Sequence, residues 1–139
     1  MKPSFALAAF LLAVQLPLAQ AASPAPVQGL WLTADQGAAV RVEPCADNAA
    51  ALCGTIVWDK DAGNAHDTCG TRILQMTRND EGTWRDGWVF DPRDGKKYKG
   101  YVRRKGDDLN IRAYVGTEVL GKTEQLTPLS ALPTTPRCS

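Results

Sequence analysis

Reactive side chains cluster in one short stretch, Asp59 to Cys69, where the only histidine of the chain, His66, lies close to Asp59, Asp61, Asp67 and Cys69. Three chemistries use these residue types: a transition-metal site, a calcium loop and a nucleophile–base pair. Structural zinc takes about four nitrogen or sulfur ligands, whereas this chain has one histidine and no Cys-x-x-Cys pair. An EF-hand loop places glycine sixth and a bidentate glutamate twelfth. Counted from Asp59, glycine comes one place early as Gly63, and the twelfth residue is Gly70. A Cys–His pair needs a free thiolate and a group that orients the imidazole, and no motif supplies that group to His66 and Cys69. The serines Ser4, Ser23, Ser130 and Ser139 lie toward the termini, with no Gly-x-Ser-x-Gly element. Asp91 with Asp94 and Asp107 with Asp108 sit in stretches that read as turns. The expectation is a protein that is not an enzyme and takes no cofactor and no metal, with a hydrolase using His66 as the third-ranked reading. Asx-rich turn chemistry accounts for Asp59 to Gly70, a connection long enough to cap the mouth of a fold.

Aromatic residues offer a different chemistry. Trp58, Trp88, Phe90 and Tyr114 are read as the wall of a pocket for an apolar or amphipathic small molecule, because such sites combine apolar walls with a few polar groups. The same residues are plain core if the fold fills its interior with its own side chains. Tyr114 stands apart from the others, since it shares strand parity with Arg112 and opposes Ile111 and Ala113.

All four cysteines, Cys45, Cys53, Cys69 and Cys138, follow a stretch laid out like a secretory signal peptide. Residues 1–21 carry Lys2, an apolar run from Phe5 to Leu18, and Ala19-Gln20-Ala21, with cleavage expected after Ala21. The run contains Gln15 and Pro17 and falls short of the roughly 20 apolar residues that span a bilayer, so no membrane span is expected after cleavage. Oxidising conditions favour disulfides. Of the three pairings that four cysteines allow, Cys45 with Cys53 is the most local, across a hairpin connection from Ala46 to Leu52, which leaves Cys69 for Cys138. Cleavage leaves 118 residues with 15 basic and 15 acidic side chains, a formally neutral chain with no basic tail or acidic block. That balance gives no reason to expect nucleic acid as a partner, and it names no protein partner. Residues 22–28 read as a flexible lead-in, 29–129 as one domain, and 130–139 as a C-terminal tail.

The domain is written in short β-rich segments separated by Gly, Asp, Asn and Pro. Strands are predicted near Gly29–Thr33, Ala38–Pro44, Leu52–Trp58, Thr71–Arg78, Thr83–Phe90, Lys96–Arg104, Asp107–Val115 and Lys122–Leu129. Alternation gives each an inner face: Leu52, Gly54, Ile56 and Trp58 in the third, Trp84, Trp88 and Phe90 in the fifth, and Leu109, Ile111, Ala113 and Val115 in the seventh. An all-β, antiparallel up-and-down barrel of about eight strands buries these faces and removes both sheet edges. A two-layer sandwich has the same alternation and remains the alternative.

The ordered blocks Gly29-Leu30-Trp31-Leu32-Thr33, Val40 to Cys45, Leu52 to Trp58, Gly82-Thr83-Trp84, Gly87 to Pro92, Asp94 to Tyr98, Tyr114-Val115-Gly116 and Leu120 to Thr123 resemble the exported bacterial family called domain of unknown function 2147. The resemblance runs from about Gly29 to Thr127. It implies a lipocalin-like β-barrel, a periplasmic or secreted location in a Gram-negative bacterium, and no established activity. The chain departs from the pattern in a shorter Asp59 to Gly70 connection, in Ala113 where glycine is common and in Leu126 where an aromatic is common, while Cys138 lies beyond it. Gly29-x-Trp31 also resembles the opening strand of lipocalins, which implies that Trp31 plugs the closed end of the barrel under a late arginine, with Arg112 as the candidate. The leading functional expectation is a non-catalytic binding module of the cell envelope for an apolar or amphipathic small molecule. An envelope interaction or structural protein with a filled core, acting through its surface, is the alternative.

Overall fold

The computed structural model describes residues 2–4, 9–19 and 25–139. The expected cleavage site after Ala21 lies outside the described residues. Eight strands follow in order: β1 (Gly29–Leu32), β2 (Ala38–Cys45), β3 (Asn48–Asp59), β4 (Arg72–Asp80), β5 (Thr83–Asp91), β6 (Lys96–Lys105), β7 (Asp108–Tyr114) and β8 (Gly121–Leu129). Each pairs antiparallel with the next, and β8 returns to β1 through Leu30 opposite Leu129 and Leu32 opposite Thr127, so the sheet is a closed barrel. Closure leaves no strand edge unpaired, which separates this fold from the sandwich alternative. Among the described residues no helix is long and apolar enough to cross a membrane. Phe10, Leu11, Leu12, Val14, Leu16 and Leu18 all stand exposed.

Thirteen buried side chains form one continuous cluster inside the cylinder, among them Trp31, Val40, Val42, Leu52, Ile56, Leu74, Met76, Val89, Val102, Leu109, Ile111 and Leu126. Leu52, Leu74, Met76 and Leu109 are fully buried. Gly54 makes room for one of them: a Cβ there would lie 2.7 Å from Leu74 Cγ, inside van der Waals contact.

Bulges change which residues face this core, because one extra residue in a strand flips everything beyond it. In β3, Ile56 opposes Val40 but Trp58 opposes Ala39, two steps against one. In β5, Trp84 opposes Val102 and Gly87 opposes Gly100, three steps against two. Asp86 takes up the extra residue in a left-handed conformation (φ 59°). Gly87 is required just beyond it, since a Cβ there would collide with the carbonyl oxygen of Gln75 in β4.

Three expected boundaries are corrected. The connection between β2 and β3 is a two-residue turn, Ala46-Asp47, and β3 begins at Asn48 instead of Leu52. Val27, placed in the flexible lead-in, is buried and its carbonyl accepts a 2.9 Å hydrogen bond from the Trp31 indole. Val115, grouped with the inner face of the seventh strand, lies past the end of β7 and is 68% exposed.

Candidate binding face

The floor of the barrel is sealed. Trp31 is buried across it, and the guanidinium over its ring, 5.0 Å from the centroid, belongs to Arg104. Arg104 opposes the buried Leu109 across β6 and β7, so it shares the inner face. It donates to the carbonyl of Pro26 at 2.8 Å, clamping the lead-in. The assignment of Arg112 to this role is therefore corrected. Arg112 alternates with Ile111 and Ala113, which puts it on the outside, where it donates to the carbonyls of Glu118 and Val119 and to Thr123 Oγ1.

The opposite end is bridged by charge. Arg93, in the turn between β5 and β6, binds both oxygens of Asp91 at 2.9 and 3.1 Å and reaches to 3.6 Å from Glu124 of β8. Glu124 opposes Ile111, so its carboxyl points toward the core. Burial pushes its pKa up, Arg93 works against that rise, and Asp35 and Asp91 add to it. The Asp91 carboxyl is held below its usual value, chiefly by Arg93. Asp35 is lowered by its hydrogen bonds from the Thr33 hydroxyl and the Gly37 backbone N–H.

The long connection after β3 hangs from Asp59, which is 5% exposed. Its carboxylate accepts the backbone N–H groups of Asp61 and Thr68, each at 2.8 Å, and the Thr68 hydroxyl. Burial by itself would raise the Asp59 pKa; these hydrogen bonds outweigh it and leave the group lowered. His66 stands exposed at the far side of this connection. Cys69 is bonded to Cys138, and Cys45 to Cys53, so Cys69 offers no thiolate beside His66. Two disulfides are consistent with a protein that folds outside the cytoplasm.

None of the four aromatics expected to line a pocket faces the lumen, and this is the main correction to the sequence reading. Antiparallel partners share a face. Trp88 opposes Gln75 and Lys99, Lys99 opposes Tyr114, and Phe90 opposes Lys97, while the inner positions beside them are Val89 and Gly87. Trp88, Phe90 and Tyr114 therefore lie on the outer wall of β5–β7, and the Asp86 bulge separates Trp88 and Phe90 from Trp84, which packs against the core. Trp58 is also outside, but elsewhere. It lines an open groove of about 280 Å³ with Leu132, Pro133, Pro136 and Arg137 of the tail that Cys138 ties down.

The outer wall gathers cations around its aromatic rings. Lys97 Nζ sits 4.2 Å from the centroid of Trp88, and the guanidinium groups of Arg85 and Arg103 lie 5.1 and 5.7 Å from that of Tyr101. A second open groove, about 560 Å³, runs beside them, lined by Arg78, Arg85, Lys99, Tyr114, Asp80 and Glu118 among others. Nothing in the residue types of Lys97, Lys99 or Arg85 marks them individually as site residues. The signal available was the mixture of aromatic and basic residues from Trp84 to Arg103, which alternation alone assigned to separate faces.

A closed eight-stranded antiparallel barrel with Trp31 packed under Arg104 is a lipocalin-like fold. The solved Helicobacter pylori protein HP1028, described as belonging to the lipocalin family, superposes on it with a TM-score of 0.54 at 16% identity, covering 80% of this chain and 85% of that one. The chain belongs to the bacterial family DUF2147, described as an uncharacterized protein conserved in bacteria, whose sequence profile matches residues 29–127. A search of curated proteins finds no match.

Proposed function

We propose that this protein is a non-catalytic binding module of the cell envelope, periplasmic or secreted, that holds an amphipathic anionic small molecule on the outer wall of β5–β7. The observation that carries the reading is Trp88 on that wall under Lys97, beside Phe90, Lys99 and Tyr114, while the lumen is occupied by core side chains. Indole, phenyl and phenol rings supply apolar contact, and the two ammonium groups select an anionic head. Trp58 belongs to the separate tail groove and takes no part.

Isothermal calorimetry with dodecanoate, set against uncharged dodecyl maltoside, tests it. Dodecanoate binds in preference, and Trp88→Ala or Lys97→Glu with Lys99→Glu weakens it by about tenfold or more, equivalent to roughly 1.4 kcal/mol. Failure of dodecanoate to bind, or binding that ignores both variants, refutes the reading.

A further inference from the structure

The connection between β7 and β8, residues 115–120, is polar underneath and apolar on top. Arg112 holds it from below: Nε donates to the carbonyl of Glu118 at 2.7 Å, Nη2 to that of Val119 at 3.2 Å, and Nη1 to Thr123 Oγ1 at 2.8 Å. Arg85 pairs with the Glu118 carboxylate. Leu120 N–H closes a turn onto the carbonyl of Thr117 at 3.1 Å. With its polar groups drawn down, the segment presents Val115, Val119 and Leu120 to solvent at 68, 83 and 74% exposure. A fixed arrangement of large apolar side chains in water is unfavourable unless something covers them.

Charge beside the segment indicates what that is. On the adjoining wall Arg78 is paired with Asp80 and Asp86, and Arg85 with Asp80 and Glu118. Among the described residues Lys97, Lys99 and Arg103 have no such carboxylate partner and face outward. Lys99 lines the same groove as Tyr114 and Glu118, which joins the unpaired cations to the apolar segment. Aromatic rings, unpaired cations and a protruding apolar turn on one surface match the headgroup region of an anionic bilayer, where apolar side chains enter the acyl boundary and ammonium groups meet phosphate.

We propose that residues 115–120 are a membrane-surface foot: Val115, Val119 and Leu120 dip into the interface of an anionic bilayer, and Lys97, Lys99 and Arg103 bind its phosphates. The inference goes beyond the small-molecule reading; it shares Lys97 and Lys99 with that reading but rests on residues 115–120, so the Val119 and Leu120 variants separate the two. The test is co-sedimentation of the mature protein with vesicles of phosphatidylglycerol and phosphatidylethanolamine, compared with phosphatidylcholine alone. The protein sediments with the first and not the second, and added salt releases it. Val119→Asp with Leu120→Asp lowers partitioning by roughly tenfold or more, with the tryptophan near-ultraviolet signal unchanged. If that pair disturbs the fold, Val119→Ser with Leu120→Ser gives the same comparison. Absence of sedimentation, or equal sedimentation of the variants, overturns the proposal. So does light scattering that reveals a dimer dissolved by the aspartate pair, which would make a second copy of the chain the occupant.

Discussion

Trp88→Ala and Leu74→Ala, compared in one background, decide on which side of the wall Trp88 lies. Leu74 has no exposed surface and sits over Gly54, which has no side chain to collapse into the space left behind. Truncating a buried leucine costs about 2–5 kcal/mol, more where the site cannot close up, so Leu74→Ala belongs in the upper half of that range. Trp88 loses different things: an ammonium over a half-buried ring, about 0.5–1 kcal/mol, and cross-strand contacts with Gln75 and Lys99, each worth about 0.2–1 kcal/mol. Trp88→Ala therefore costs about 1–3 kcal/mol, less than Leu74→Ala although it removes the larger side chain.

Urea unfolding followed by far-ultraviolet circular dichroism, with both disulfides intact, measures the pair, provided the slopes agree so that midpoints convert to free energies. Dodecanoate binding should move the opposite way, lost in Trp88→Ala and retained in folded Leu74→Ala. A Trp88→Ala penalty as large as that of Leu74→Ala, with dodecanoate binding unchanged, refutes the register through the Asp86 bulge and with it the outer binding face.

Arg104→Met loosens the floor, shifting the Trp31 emission and costing about 1–3 kcal/mol from the lost stacking and charged hydrogen bonds; Arg112→Met leaves Trp31 undisturbed and instead raises amide exchange across residues 115–120. Removing the Cys69–Cys138 bridge, which spans 69 residues, costs up to about 4 kcal/mol by chain entropy against about 2.5 for Cys45–Cys53, and acrylamide quenching then increases at Trp58. The reverse order of stabilities contradicts this. Glu124 has a folded-state pKa above its unfolded one, so the stability its proton confers is complete below the unfolded pKa and is lost as pH rises through the folded pKa. Glu124→Gln accordingly gains stability over the parent toward neutral pH and none below about pH 4. The lowered carboxyls Asp35, Asp59 and Asp91 act in the opposite sense, supplying stability above their unfolded pKa that is lost as pH falls through their folded values.

Eight strands were legible because their apolar alternation is strong and their turns carry Gly, Asp and Pro. The faces were legible only as far as the first irregularity in each strand. Leu52, Gly54 and Ile56 do share the inside, yet Trp58, of the same parity, is outside because of an extra residue that no residue type announces. Trp84 and Trp88 were assigned one face for the same reason, and Asp86, an ordinary residue in a left-handed conformation, separates them. Arg112 lies late in the chain, as the resemblance requires, yet its alternation with Ile111 and Ala113 points it outward. Arg104 shares the parity of the inner face and fits the floor. Asn48 to Ala51 read as loop because alanine and asparagine carry little strand preference; pairing with β2 and the Cys45–Cys53 bridge override that local preference.

A filled lumen follows from size and sets where binding can occur. Eight short strands enclose about enough room for their own side chains, and here Leu52, Leu74, Met76, Leu109 and Leu126 occupy it with almost no exposure. Admitting a dodecyl chain would require several of these to leave, and each truncation of that kind costs about 2–5 kcal/mol. Three such losses already match the whole stability of a typical domain, about 5–15 kcal/mol. Arg93, bound to Asp91 and close to Glu124, would also have to release the mouth. The outer wall asks for none of this: its rings and ammonium groups are accessible in the folded state, so a ligand there gains contact without unpacking the cylinder.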